Sequence, residues 1–138
     1  MESFREVKRA FYRLLSKQAE GFGITGIQFM ALKTIEANPQ TGVTELADLL
    51  RMGNSTVSGI VDRLVKAGLV ERKRLDTDRR NVILKITDQG REIYRLIDIR
   101  YTKVISIVLE AEEDIDHLLL THRKIIASLE KVREETYE

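Results

Sequence analysis

The side chains best suited to do chemistry in this chain are gathered in one stretch. Ser55, Thr56 and Ser58 offer hydroxyls, Arg63 and Lys66 add cations, and Arg72 and Lys73 lead into RLDTDRR (Arg74–Arg80), where three arginines meet two aspartates. Ammonium and guanidinium groups neutralise phosphates, and the arginine fork also reads base edges. Small hydroxyl residues at a helix start let the backbone come close to phosphate. From Arg51 to Lys85 nine basic residues stand against four acidic ones, and from Glu110 to Glu138 nine acidic against four basic. A formal charge of +1 therefore hides a middle of +5 and a tail of −5. One segment is built to meet a polyanion and the other is not.

Catalysis has no comparable centre. Cysteine is absent from the 138 residues, which removes disulfides, thiolate nucleophiles and the usual soft zinc ligands. His117 and His122 stand near Glu112, Glu113, Asp114 and Asp116. Their spacing does not place two imidazoles on one helical face, as a spacing of four residues does. His122 falls on the apolar stripe of its segment, so it reads as a packed or interface histidine, and the acids suit a helix start. GFGITG (Gly21–Gly26) matches G-x-G-x-x-G, with Asp48 22 residues on. A dinucleotide site needs a strand before that motif, whereas a helical pattern precedes it here. It reads instead as a joint between helices. No cofactor, no metal and no enzyme activity are expected.

The elements that must carry these residues follow from periodicity. A composition of 43% hydrophobic and 33% charged residues suits one globular domain and not a disordered chain. No apolar run approaches the roughly 18 residues of a membrane span, and no secretory leader is evident. A cytoplasmic protein that does not enter a membrane is expected. Phe4, Val7, Phe11, Leu14 and Leu15 mark an amphipathic helix. Thr25, with Gln28 at the capping-box position and Ile24 stapled to Phe29, opens a second helix that stops at Asn38-Pro39. A short helix from Thr44 carries Leu46, Ala47 and Leu50, and a tight break at Met52-Gly53-Asn54 follows. The next helix buries Val57, Ile60, Val61 and Leu64 and ends at Gly68. Strands are predicted over Leu69–Leu75 and Asn81–Ile86, the second with Val82, Leu84 and Ile86 on one face. Thr87 then caps a long helix, and a charged break at Ala111–Glu113 leads to a last one through Ile115, Leu118, Ile125 and Val132.

Two short helices across a glycine-containing break form a helix-turn-helix pattern, here followed at once by a basic hairpin. The second helix then fits a major groove and the hairpin tip a neighbouring minor groove, where negative potential is focused. A winged-helix module that binds protein and never DNA is the alternative, and the basic middle segment argues against it. Affinity is expected from phosphate neutralisation by Lys66, Arg72, Lys73 and Arg74.

Essentially the whole chain resembles the MarR family of winged-helix transcriptional regulators. The resemblance rests on ITGIQFMAL, GVTELADLL, NSTVSGIVDRLVKAGLVER and DRRNVILKITDQG, in the family's order and spacing. Asp78-Arg79-Arg80 with Thr87 and Gly90 is similar to its D-x-R…LT-x-x-G pattern, although Ile86 stands where Leu is commoner. The fold so implied is mainly α (α+β). A winged helix-turn-helix region over 24–87, with the helix-turn-helix at 44–67 and a two-stranded wing at 69–86, is flanked by dimerisation helices at 1–20, in the later part of 88–110 and at 111–138. The resemblance implies a homodimeric repressor of double-stranded DNA on a pseudo-palindromic operator, commonly released by a small-molecule effector. The family places that effector between the dimerisation helices and the winged domain, which makes the Gly21–Thr25 joint and the adjoining helices its walls. Its oxidation-sensing branch is closed to a chain without cysteine.

On the same resemblance, Arg80 enters the minor groove and Asp78 orients the wing. Ser55, Thr56, Ser58 and Arg63 face DNA, and Arg79 joins the DNA-binding set without a defined contact. Gly59 joins the DNA-facing set but departs from the pattern, because family members often carry a large basic residue there. Apart from the resemblance, the seams at Phe4–Leu14 and Ile115–Val132 exceed what one small wing domain covers, so a second copy is expected to cover them.

Overall fold

The computed structural model describes residues 2–78, 81–111 and 114–136. Along the chain run α1 (Glu2–Glu20), α2 (Gly26–Ala37), α3 (Val43–Leu50), α4 (Asn54–Lys66), β1 (Val70–Arg74), β2 (Val82–Ile86), α5 (Asp88–Glu110) and α6 (Ile115–Thr136). This is the expected order, with a two-stranded antiparallel sheet set among helices. The chain divides into two compact units, Met1–Tyr101 and Thr102–Glu138. None of the helices among the described residues is long and apolar enough to cross a membrane.

Local chemistry sets the helix boundaries of the first unit. Thr25 and Gln28 close a capping box: the Thr25 N–H donates to Gln28 Oε1 at 2.8 Å, and the Gln28 N–H to Thr25 Oγ1 at 3.2 Å. Two backbone donors that the helix start would otherwise leave open are satisfied together. Ile24 and Phe29 are both buried, as a hydrophobic staple requires. Helix α3 begins one residue earlier than Thr44. Gly42 is its N-cap, and Glu45 supplies the acceptor by taking the Gly42 N–H at 2.6 Å. A side chain at Gly42 would press on the Val82 carbonyl oxygen, which lies 3.3 Å from the position of a Cβ.

The core joins α1 through α5 and the sheet. Phe29, Leu32, Leu46, Leu64, Leu84 and Ile97 are its largest fully buried side chains. Only the end of α1 reaches it, through Leu15 and Ala19. Phe29 and Tyr94 meet with ring centroids 5.8 Å apart. Outside the core, Lys33 pairs with Asp98 at 3.3 Å and Arg91 with Glu36 at 2.9 Å, tying α2 to the first half of α5. The Arg91 guanidinium is raised above its ordinary value by its hydrogen bond and charge contact with Glu36, with Asp88 adding to it.

One hydroxyl organises the passage from wing to α5. Thr87 Oγ1 donates to the Gly68 carbonyl at 2.7 Å and accepts the Gly90 N–H at 3.0 Å. Gly68 ends the preceding turn with φ +74, a conformation glycine adopts at little cost. Gly90 is glycine for want of space: a Cβ there would stand 2.1 Å from the Leu69 carbonyl oxygen. The Thr87 and Gly90 pattern noted in the sequence is thus a hydrogen-bonded close approach of α5 to the end of the α4 turn.

In the second unit, α6 buries none of its described side chains. Ile126, Leu129 and Val132 are 54%, 64% and 59% exposed, and Leu118, Leu119, Leu120 and Ile125 are exposed as well. His122 is half-buried. In the N-terminal half of α1, Phe4 and Val7 are exposed too.

Candidate nucleic-acid interface

Helix α4 divides its faces as the sequence pattern requires. Val57, Ile60, Val61 and Leu64 are buried, while Ser55, Thr56, Arg63 and Lys66 are exposed and Ser58 and Gly59 half-buried. Gly53 is the N-cap and has no side chain with which to accept, so the first backbone N–H groups of α4 remain available beside Ser55 and Thr56. At the other end, Arg63 and Lys66 lie in the last turn, where cations favour the helix dipole. A Cβ added to Gly59 would meet nothing within 4 Å. Glycine at 59 therefore leaves open space on the half-buried flank of this face.

The break between α3 and α4 is tighter than the glycine alone suggests. Arg51, not Gly53, takes the left-handed conformation (φ 54, ψ 47) that ends α3. Met52 follows with its N–H on the Ala47 carbonyl at 2.9 Å. Gly53 is extended, at φ −67 and ψ 145. No sequence signal marks arginine for a positive φ, and its cationic side chain is left exposed beside the turn.

The wing pairs Val70 with Ile86, Arg72 with Leu84 and Arg74 with Val82. Because directly opposed residues share a face, Arg72 and Arg74 continue the face that begins with buried Val70, Leu84 and Ile86. Arg72 reaches from there to α4, donating from Nη2 to Asp62 Oδ1 at 2.5 Å. Lys73 faces the other way and pairs with Glu71 at 3.5 Å. Beyond the ladder, the Asp78 N–H donates to the Leu75 carbonyl at 3.2 Å and the Asn81 N–H to the Asp78 carbonyl at 3.0 Å, so Asp78 closes the turn with its backbone. Arg79 and Arg80 lie outside the described residues. Between the wing and the α3–α4 pair runs an open groove of about 560 Å³ lined by Thr44, Ser58, Arg72 and Val82.

Two contacts of this region escape a reading by pattern. Asp62 carries no periodic signal as the partner of Arg72, since a helix and a strand separate them. Buried Thr41 offers its carbonyl to the Leu84 N–H at 2.8 Å and so covers the second edge of β2. At the Gly21–Gly26 joint, helices lie on both sides and Gly23 adopts φ +73. A Cβ on Gly26 would stand 2.6 Å from Ser16 Oγ, so this glycine permits α1 and α2 to cross closely. A cavity of about 570 Å³ opens beside the joint, lined by Tyr12, Arg13, Ser16, Lys17, Ile24 and Thr25 among others.

Residues 24–82, which span the helix-turn-helix and most of the wing, match the model of the MarR family. The HTH-type transcriptional regulator FarR of Neisseria gonorrhoeae is 31% identical over 134 residues, covering 94% of this chain and 86% of FarR. The chain belongs to the MarR family. Solved MarR-type structures carry the same fold. The transcriptional regulator BldR from Sulfolobus solfataricus superposes with a TM-score of 0.79 at 25% identity, covering 93% of this chain and 92% of that one. A mutant MarR from Escherichia coli, crystallised with operator DNA, gives a TM-score of 0.79 at 24% identity over 90% of this chain and 91% of that one. This MarR-family chain is accordingly a winged-helix transcriptional regulator.

Proposed function

We propose that this MarR-family regulator is a repressor that binds a pseudo-palindromic operator in double-stranded DNA as a homodimer. The observation that carries the reading is the exposed face of α4. Ser55 and Thr56 stand beside uncapped backbone N–H groups at one end, and Arg63 and Lys66 at the other, all within the Arg51–Lys85 segment of net charge +5. Hydroxyls and N–H groups at a helix start suit phosphate and base edges, and cations along its length neutralise the backbone. In this reading Ser55, Thr56, Ser58 and Arg63 face the major groove. Lys66, Lys73 and Arg74 neutralise phosphates, Asp78 holds the turn of the wing, and Arg80 enters the minor groove with Arg79 beside it. Open space at Gly59 leaves that position without a base contact, and shape and backbone contacts take more of the weight.

The homodimer is supported by what the single chain leaves uncovered. A helix with seven exposed large aliphatic side chains, together with Phe4 and Val7 of α1, offers more apolar surface than a monomer tolerates. A twofold axis through such an interface sets two α4 helices about one DNA turn apart, roughly 34–36 Å. The cavity at the α1–α2 joint supports release by a small-molecule effector, its lining carrying Arg13 and Lys17 against Glu20. The protein is not an enzyme and works in the cytoplasm, where its DNA is found.

Selection from a random-sequence duplex library tests this reading. The enriched sites should show two related half-sites in inverted orientation, with centres one helical turn apart. Enrichment of a single asymmetric element, or of none, would overturn it.

A further inference from the structure

The ion pair between α4 and the wing has an odd placement for a surface that meets DNA. Asp62 is an anion on the solvent side of α4, next to Arg63, and its side chain is 63% exposed. A lone carboxylate there repels phosphates. Arg72 answers it from β1 at 2.5 Å, from the strand position opposite Leu84, whose side chain is anchored in the core. One end of the contact is thus fixed to the recognition helix and the other to the base of the wing.

We propose that Asp62 and Arg72 are positioning residues. Their contact fixes the tilt of the wing against α4, so that both meet one duplex in register, and neither side chain is itself a phosphate contact. This inference rests on the DNA-binding reading above and adds a division of labour among its cations. Arg72 is engaged inward, while Lys66, Lys73 and Arg74 are exposed and left to meet phosphate, Lys66 and Arg74 without an ion-pair partner among the described residues and Lys73 with Glu71 beside it.

Two accounts of this pair predict opposite signs. If Asp62 acts only through its charge, Asp62→Asn removes a repulsion and tightens binding to any duplex. If it holds the wing, Asp62→Asn loosens binding to a selected site despite the lost repulsion. Likewise, Arg72 as a phosphate contact contributes about one unit to the salt slope, and as a positioning residue it contributes none.

The experiment measures wild type, Asp62→Asn, Arg72→Gln, Arg72→Lys and the exchanged pair Asp62→Arg with Arg72→Asp. The probes are a duplex enriched by the wild-type protein from a random library and poly(dI-dC) as the non-specific duplex, each over a salt series. Thermal melting followed by circular dichroism first establishes that each variant folds, and both positions are exposed enough for substitution to leave the core intact. Asp62→Asn and Arg72→Gln should each weaken the selected site by roughly two- to five-fold, the range of an exposed ion pair, with the salt slope unchanged. Arg72→Lys should keep part of the affinity, and the exchanged pair should recover most of it. Tighter binding by Asp62→Asn, a slope reduced by one unit in Arg72→Gln, or no recovery in the exchanged pair would overturn the proposal. If Arg72→Gln fails to fold, Asp62→Asn and Arg72→Lys carry the same test. Failure of the wild type to enrich any duplex would instead bring down the DNA-binding reading, and this inference with it.

Discussion

Two glycine-to-alanine substitutions, both in helices, should shift stability in opposite directions. At Gly90 a new methyl would stand 2.1 Å from the Leu69 carbonyl oxygen and 2.9 Å from Ile86 Cγ1. Carbon contacts settle near about 3.5 Å, so the first turn of α5 must retreat by roughly 1 Å. The Thr87 N–H to Leu69 carbonyl bond (3.0 Å) and the Thr87 Oγ1 to Gly68 carbonyl bond (2.7 Å) cross that same seam and stretch with it. Weakening two hydrogen bonds costs about 0.5–1.5 kcal/mol each. Overpacking adds about 1–3 kcal/mol. The helix preference of alanine returns about 0.5–1 kcal/mol, which leaves Gly90→Ala about 1–5 kcal/mol less stable. At Gly59 the methyl meets nothing within 4 Å, so only the preference remains and the variant gains about 0.5–1 kcal/mol. Urea unfolding at one fixed protein concentration, followed by far-ultraviolet circular dichroism, gives both values on the same scale. A Gly90→Ala protein within about 0.5 kcal/mol of wild type, or a Gly59→Ala protein less stable than wild type, would refute the packing described for these two helices.

Other consequences can be checked with the same material. Thr25→Ala opens the capping box of α2 and should cost about 1 kcal/mol in the urea titration; no measurable change would mean that the box is dispensable. Burial pushes the Tyr101 phenol above its ordinary value, with Lys33 pulling weakly the other way. The folded state therefore holds this proton after the unfolded chain has released it. The stability so gained is complete below the unfolded value near about 10 and is lost as pH rises through the folded one. Between about pH 9 and about pH 11, Tyr101→Phe should lose stability less steeply than wild type, and parallel curves would rule this out. Arg80→Ala should weaken binding to a selected duplex and reduce the salt slope by about one unit; an unchanged isotherm across the salt series would remove Arg80 from the interface.

How far the sequence discloses this molecule depends on how local each feature is. The Thr25–Gln28 box, the buried quartet of α4 and the positive φ of Gly68 are set by residues within a few positions of one another, and each could be read from spacing. The Thr87–Gly90 pattern was visible as a motif, yet its reason, the approach to Leu69, lies across the fold. The Asp62–Arg72 contact, the bond from Leu84 to Thr41 and the crossing of Gly26 over Ser16 arise only when separate elements meet. The left-handed Arg51 is a different case: it ends α3 with its N–H on the Asp48 carbonyl, and no residue type at that position signals a positive φ. The exposed face of α4 was legible as a set of residues, and its inward brace to the wing was not. The wing arginines Arg79 and Arg80 lie outside the described residues, so the role of Arg80 rests on the resemblance to the MarR family and Arg79 has no defined contact.

The central claim is that the face formed by α4 and the wing binds duplex DNA with selectivity. Equilibrium titration of a labelled duplex selected by the protein, beside a scrambled duplex of the same length, tests it most directly when repeated from about 50 to about 200 mM salt. The account predicts saturable binding of two chains per selected site, a preference for that site over the scrambled one, and a linear fall of log affinity with log salt. Absence of binding at the lowest salt, or equal affinity for both duplexes throughout, would contradict it.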